Sequence, residues 1–257
     1  MSVRWFPPLL AAALAATLAF LALPVVAIFV DTAPADLLAS LGDAESLDAL
    51  RLSLECTVIA LAIIVLAGTP AAYLLATRRF RGRALLVTLI EVPLVLPPAV
   101  AGIGLLAALG PNGLLGDWVG DRLVLQTAGV VVALTFVAAP FHLRQAQAAF
   151  EAVEPTWLDA SRTLGASEAR TFARIAIPAA APGLAAGIAL AWGRALGEFG
   201  ATLMFAGSFR GVTQTAPLAI YERFSTDFPA ALALAAVLVA VSAAILLSVK
   251  LLGGAAR

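Results

Sequence analysis

Six apolar blocks alternate with short polar connections along the chain. They occupy about 7–30, 53–77, 84–109, 123–145, 182–206 and 228–252. A helix that spans a bilayer core needs about 20 apolar residues, so the pattern predicts an all-α polytopic membrane protein with six transmembrane helices. Breakers lie inside some blocks, as at Pro97, Pro98, Gly102 and Gly104. Membrane helices tolerate them where neighbours or cavity water satisfy the freed backbone groups. The first block follows Arg4 and has small residues near Val26 and Ala27, which also fits a cleaved signal peptide. Signal cores run to about 7–15 residues, so the longer block reads as a retained first helix.

Hydrophobic residues make up 62% of the chain, against about 45–50% for an average soluble domain. Sixteen basic and sixteen acidic residues cancel, so bulk charge names no partner. Nothing resembles the basic, aromatic-interleaved surface of a nucleic-acid binder. The distribution of the charge is more telling. Eleven basic residues, among them Arg78, Arg79, Arg81, Arg83, Arg144, Arg162, Arg170 and Arg174, fall on one side of the predicted spans. Four (Arg51, Arg122, Arg210 and Arg223) fall on the other, and Arg194 lies inside a span. The positive-inside rule makes the basic side cytoplasmic, with both termini inside. The outer loops collect acids instead, including Asp36, Asp43, Glu45, Asp48, Glu222 and Asp227.

Candidate chemistry is sparse. The single cysteine, Cys56, and the single histidine, His142, predict no intrachain disulfide and no thiol or imidazole metal site. Cys56 reads as a small packing residue and His142 as an interfacial residue at the cytoplasmic end of span four. No Ser/His/Asp constellation, paired-acid site or HExxH pattern points to a catalytic residue.

The segment 151–182 between spans four and five, EAVEPTWLDASRTLGASEARTFARIAIPAAAP, is too polar to span and too patterned for a tether. Pro155 suits a first helical position and Glu151 and Glu154 a helix start. Leu158 and Leu164 are expected on a shared apolar face. Gly165 suits a left-handed helix end, and Ser167 an N-cap of a second short helix carrying Glu168 and Arg170. Pro178 and Pro182 are expected to stop that helix before the fifth span.

This segment resembles the EAA motif of ABC-importer permeases. Asp159-Ala160-Ser161 stands for Glu-Ala-Ala, Gly165 follows at the motif's interval, and Ile175-Ala176-Ile177-Pro178 stands for Ile-x-Leu-Pro. The resemblance implies a coupling helix, with Asp159, Ala160, Ser161, Leu164, Gly165, Ala166 and Ser167 docking into a groove of a separate ATPase subunit. No G-x-x-x-x-G-K-[ST] phosphate loop occurs, and the only lysine is Lys250. The chain is therefore expected to be no enzyme by itself and to bind no cofactor, with ATP and Mg held by the partner ATPase.

Within 192–221, WGRALGEFGATLMFAGSFRGVTQTAPLAIY, Arg194 and Glu198 stand at i, i+4 and can pair on one helical face. Intramembrane charges usually face a bundle interior or an aqueous path, so the pair reads either as a neutralised structural contact or as part of a pathway or gate. Glu91, near the start of span three, reads the same way, as serving packing or gating. Thr202, Thr213, Gln214 and Thr215 are neutral donors near the outer mouth. They suit passage of a dianion that strong binding would trap, or else satisfy local backbone. Gly193, Gly197 and Gly200 suit close helix packing.

The runs Arg194-Ala195-Leu196-Gly197-Glu198-Phe199-Gly200-Ala201-Thr202 and Thr213-Gln214-Thr215-Ala216-Pro217-Leu218-Ala219-Ile220-Tyr221, with Leu96-Pro97-Pro98 in span three, resemble the molybdate-type permeases of the molybdate, tungstate and sulfate group. The resemblance implies a single permease domain over 1–257 in a bacterial or archaeal cell membrane. It implies a homodimer of this chain with an ABC ATPase dimer and an extracytoplasmic oxyanion-binding protein, importing molybdate or tungstate by alternating access. A sulfate or thiosulfate permease is the near alternative. An ion-coupled secondary anion transporter is the alternative from another class, with Glu91 and Glu198 as its candidate carboxylates.

Overall fold

A computed structural model describes residues 6–254, with side chains through residue 248. Arg4, Arg257 and the Lys250 side chain, which enter the charge tally above, lie outside what it describes. The described chain is helical throughout, without strands. Five helices are long and apolar enough to cross a membrane, and a sixth crossing is supplied if one bent helix pair counts as a single span.

The first long helix, α1 (Phe6–Asp31), has no buried residue and leans on the last. A short helix, α2 (Pro34–Gly42), leads to α3 (Ala44–Thr77). The Asp43 carboxylate accepts the Ser46 amide at the start of α3. At 1.5 Å per residue the 34 residues of α3 extend about 51 Å, against a core of about 30 Å, so its charged first turns project beyond the bilayer. The third apolar block is not one straight span. It forms α4 (Arg83–Val95) and α5 (Pro98–Leu109), bent by 118° at Leu96 and Pro97. Pro97 and Pro98 supply no amide hydrogen, and the residue before a proline is driven out of the helical region. Leu96 is accordingly extended.

The small helix α6 (Gly116–Leu123) then turns the chain into α7 (Thr127–Glu151), the central helix, packed against α3 and against a later long helix, α10 (Ile177–Leu196). The polar segment after it folds as α8 (Pro155–Thr163) and α9 (Glu168–Thr171). The prolines do not stop the second helix as expected. A π-helical turn at Phe172–Ala176 joins α9 directly to α10 (Ile177–Leu196). The wider turn carries the chain past Pro178, whose missing amide falls in the first turn of α10, where it is tolerated. The fifth block breaks again after α10. Residues 197–199 separate it from α11 (Gly200–Ala206), followed by α12 (Ala216–Phe224) and α13 (Phe228–Gly254).

Cys56 is fully buried with Ala60, Leu134, Ala191 and Ala195 where α3, α7 and α10 meet. His142 is not interfacial. It is fully buried in the same three-helix junction, its Nε2 2.9 Å from the Thr69 hydroxyl. Gly68 and Gly187 make room for the ring, since a Cβ on Gly187 would lie 3.1 Å from Nδ1.

Candidate functional site

Two ends of the bundle carry polar networks, and two helix breaks lie between them. At the basic end, Arg83 bonds Glu151 at 2.8 Å and Arg144 pairs with Glu91 at 2.9 Å, so Glu91 ties α4 to α7. The polar segment is anchored beneath. Leu158 is buried with Phe150, Ala176 and Ala180, and Tyr73 stacks edge-on against Phe150. Leu164 does not share that face. It is 88% exposed at the tip, with Trp157 also exposed. Gly165 has φ +81 and nothing within 4 Å of where a Cβ would stand. It is chosen for its left-handed backbone, which costs an L-residue about 1–2 kcal/mol, and not for lack of space. Ser167 caps α9 by accepting the Arg170 amide.

Arg162 joins the two short helices. Its guanidinium donates to Asp159 at 2.9 Å and to both oxygens of Glu168 at 2.9 and 3.3 Å. Glu168 and Asp159 hold the Arg162 pKa above its usual value, the Glu168 contact most of all. Ser161 bonds the hydroxyl of buried Thr171 at 2.9 Å. Asp159 and Ser161 of the motif thus meet partners within this chain, while Leu164 and Trp157 stand outward.

In the middle of the bundle, α5 and α11 lie side by side without clearance. A Cβ on Gly102 would come within 2.7 Å of both the Ala201 carbonyl oxygen and Met204 Cβ, and one on Gly200 within 2.8 Å of Pro98 Cβ. Gly200 therefore packs closely, as its sequence context suggests. Gly193 and Gly197 do not: Gly193 has nothing within 4 Å of its Cβ position, and Gly197 only the Gly193 carbonyl at 3.5 Å. Glu198 is 1% exposed, with Arg194 Nη2 2.6 Å from its Oε2. Its Oε1 accepts the Ala201 amide at 2.6 Å. The side chain of Arg194 keeps 27% exposure.

The remaining sequence-predicted polar residues are all buried, and they divide by partner. Thr213 Oγ1 accepts the Phe209 amide, and Gln214 donates to Glu222 at 2.6 Å. The hydroxyls of Thr202 and Thr215 find no protein partner among the described residues. Neither does that of Thr57 on α3, a residue not singled out from sequence. The amide of Ala216 donates to Ser53 of α3, placing the start of α12 against α3.

At the end opposite the basic network, Arg223 bonds Asp43 at 2.5 Å and Ser46 at 2.8 Å and lies 3.4 Å from Glu45. Arg210 reaches Glu45 at 3.6 Å. Arg223 holds the Asp43 carboxyl well below the usual carboxylate range. Beside this lock, Asp36, Ser40, Glu222, Thr226 and Asp227 line an open cavity of about 560 Å³. In the sequence Asp36, Glu222 and Asp227 stand only as acids of the outer loops.

Three likenesses bear on this arrangement. The chain is 40% identical over 237 residues to the molybdenum transport system permease protein ModB of Mycobacterium tuberculosis, covering 91% of this chain and 90% of that one. It is 37% identical over 189 residues to the sulfate transport system permease protein CysT of Escherichia coli, covering 72% and 68%. In fold it is similar to a chain of a bacterial ABC transporter involved in import of the acidic polysaccharide alginate, with a TM-score of 0.74 at 18% identity over 95% of this chain and 94% of that one. The family of binding-protein-dependent transport system inner membrane components matches residues 64–256. The chain belongs to that family and is the multi-span permease subunit of an ABC importer.

Proposed function

We propose that this permease imports molybdate and tungstate, as half of a homodimer driven by a separate pair of ATPase subunits and supplied by an external oxyanion-binding protein. The similarity to a molybdenum permease along nine-tenths of both chains carries the choice of cargo. A sulfate permease is similar over a smaller share and keeps sulfate as the second reading. The pair α8–α9 is the coupling element. Leu158 roots it in the bundle, Gly165 sets its turn, and Leu164 is its outward contact for the ATPase. Asp159, Ala160, Ser161, Ala166 and Ser167 shape the rest of that contact. Nucleotide and Mg belong to the ATPase, both termini to the cytoplasm, and the Arg223 end to the outer face.

The pathway runs past the two helix breaks. Arg194 is the partly exposed cation there, its charge offset by Glu198, so that a dianion is attracted without being trapped. Thr202 and Thr215 have hydroxyl hydrogens without a protein partner, free to serve a passing oxyanion. Thr213 and Gln214 shape the loop that presents them. Alternating access follows as the ATPases close and open beneath the coupling pair.

Uptake into vesicles holding the permease, its ATPase and the binding protein tests this reading. Uptake should need ATP, stop with vanadate and persist with a protonophore. Uptake driven by an ion gradient without ATP would instead indicate a secondary transporter. Thr215→Val should slow molybdate uptake; an unchanged rate removes Thr215 from the pathway.

A further inference from the structure

Glu198 does two things with one carboxylate. Oε1 accepts the Ala201 amide in the first turn of α11, and Oε2 holds Arg194 on the last turn of α10. Between them the chain leaves helical geometry at Phe199, whose φ and ψ are −125° and −54°. Backbone hydrogen bonds do not cross this break as they would in an unbroken span, so the side chain of Glu198 is the polar connection between the two helices. It is 1% exposed. Oε2 meets Arg194 as an ion pair without hydrogen-bond geometry, so Arg194 answers the charge of this buried carboxylate and the Ala201 amide gives it its hydrogen bond.

At Gly102 and Gly200 the helices α5 and α11 leave no room for a methyl group. Close-packed interfaces of this kind behave as single bodies and shift between discrete arrangements rather than deforming continuously. A force that turns α11 must therefore turn α5 with it. In the last turn of α10 the glycine positions Gly193 and Gly197 meet no such packing, while Ala195 and Leu196 are buried.

We propose that Glu198 is a positioning residue that joins the motion of α10 to the α5–α11 pair, and that it is not itself a ligand of the transported anion. Helix α10 is continuous with the coupling segment through the π-helical turn. A displacement of α8 and α9 therefore reaches the break along one helix and crosses it through the carboxylate. The proposal rests on the permease reading but not on the identity of the oxyanion.

The test uses the assembled transporter and compares Glu198→Ala and Glu198→Gln, with Cys56→Ala and Thr202→Cys added for the labelling measurement alone. One reading is anion transported per ATP hydrolysed, which the amount of folded protein does not move. The other is the rate at which a small thiol reagent labels Cys at position 202, which needs no cargo. Glu198→Ala should lower the transport ratio about tenfold, within the usual range of a coupling free energy between sites, and should speed labelling. Glu198→Gln keeps an acceptor for the Ala201 amide, so labelling should stay near the parent rate while the ratio falls less. Parent values for both readings in both variants, or uptake and hydrolysis falling together at a fixed ratio, overturn the proposal. If Glu198→Ala does not assemble, the double variant Arg194→Met with Glu198→Gln removes both charges and keeps the cap. It should lower the ratio at saturating anion, where the weaker attraction expected from losing Arg194 no longer counts. An unchanged ratio at saturating anion overturns it. A parent that transports none of the tested oxyanions refutes the cargo assignment and leaves the labelling comparison intact.

Discussion

Gly102→Ala tests whether α5 and α11 are as tightly joined as their backbones indicate. The added methyl would lie 2.7 Å from the Ala201 oxygen and from Met204 Cβ, and 2.9 Å from Ala201 Cα. Carbon contacts settle near 3.5–4.0 Å, so the two helices must part by about 1 Å. Overpacking of this kind costs about 1–3 kcal/mol. The better helix propensity of Ala returns about 0.5–1 kcal/mol, which leaves a net loss of about 1–2 kcal/mol. For a chain of this size that lowers the unfolding midpoint by about 2–8 °C. Gly104→Ala is the internal control, because nothing lies within 4 Å of its Cβ position. It should hold or slightly raise the midpoint. The assay is thermal unfolding of the purified permease in detergent, followed by tryptophan fluorescence. Equal midpoints for Gly102→Ala and the parent, or equal losses for the two alanine variants, would refute the close packing.

Gly165→Val should strain the left-handed turn by about 1–2 kcal/mol without a steric clash; the ATPase should co-purify less with the variant while membrane insertion is unchanged, and full co-purification counts against the coupling role. Thr69→Val leaves buried His142 without its partner and should cost about 1 kcal/mol, near the upper range for hydrogen bonds in membrane helices; an unmoved midpoint would show that the contact contributes nothing. The Asp43 carboxyl is depressed by Arg223, so its contribution to stability is fully present above an unfolded pKa of about 3.9. It disappears only as pH falls through the lower native value. Between pH 7 and 5 the lock should therefore add no pH dependence, and Arg223→Gln should remove its acid-side loss; a variant with the parent's acid profile contradicts that assignment.

The apolar blocks were legible because a bilayer demands length and composition together, and α1, α3, α7, α10 and α13 lie where those blocks fall. Gly165, Ser167 and Pro155 were legible because each answers a local backbone need. Other features depend on partners far away in sequence. Pro97 and Pro98 mark a break, but neither the 118° of the bend nor the close approach of α5 to α11 can be read from them. Hydropathy places His142 at a helix end, whereas Thr69, 73 residues away, and the notches at Gly68 and Gly187 decide its burial. Leu164 follows the apolar periodicity of α8, yet it falls on the turn and points outward. The Arg223–Asp43 lock joins residues 180 apart, beyond the reach of any local pattern. For the Arg194–Glu198 pair, spacing predicted the contact, and the cap on α11 emerged only once the helix was known to break.

The central claim is the cargo. The most direct measurement is ATP-dependent uptake of molybdate, tungstate and sulfate, each alone and in competition, into vesicles holding this permease, its ATPase and its binding protein. Rapid uptake of molybdate and tungstate, resisted little by excess sulfate, is the predicted result. Preferential uptake of sulfate by the same assembly would contradict the molybdate assignment while leaving the importer itself in place.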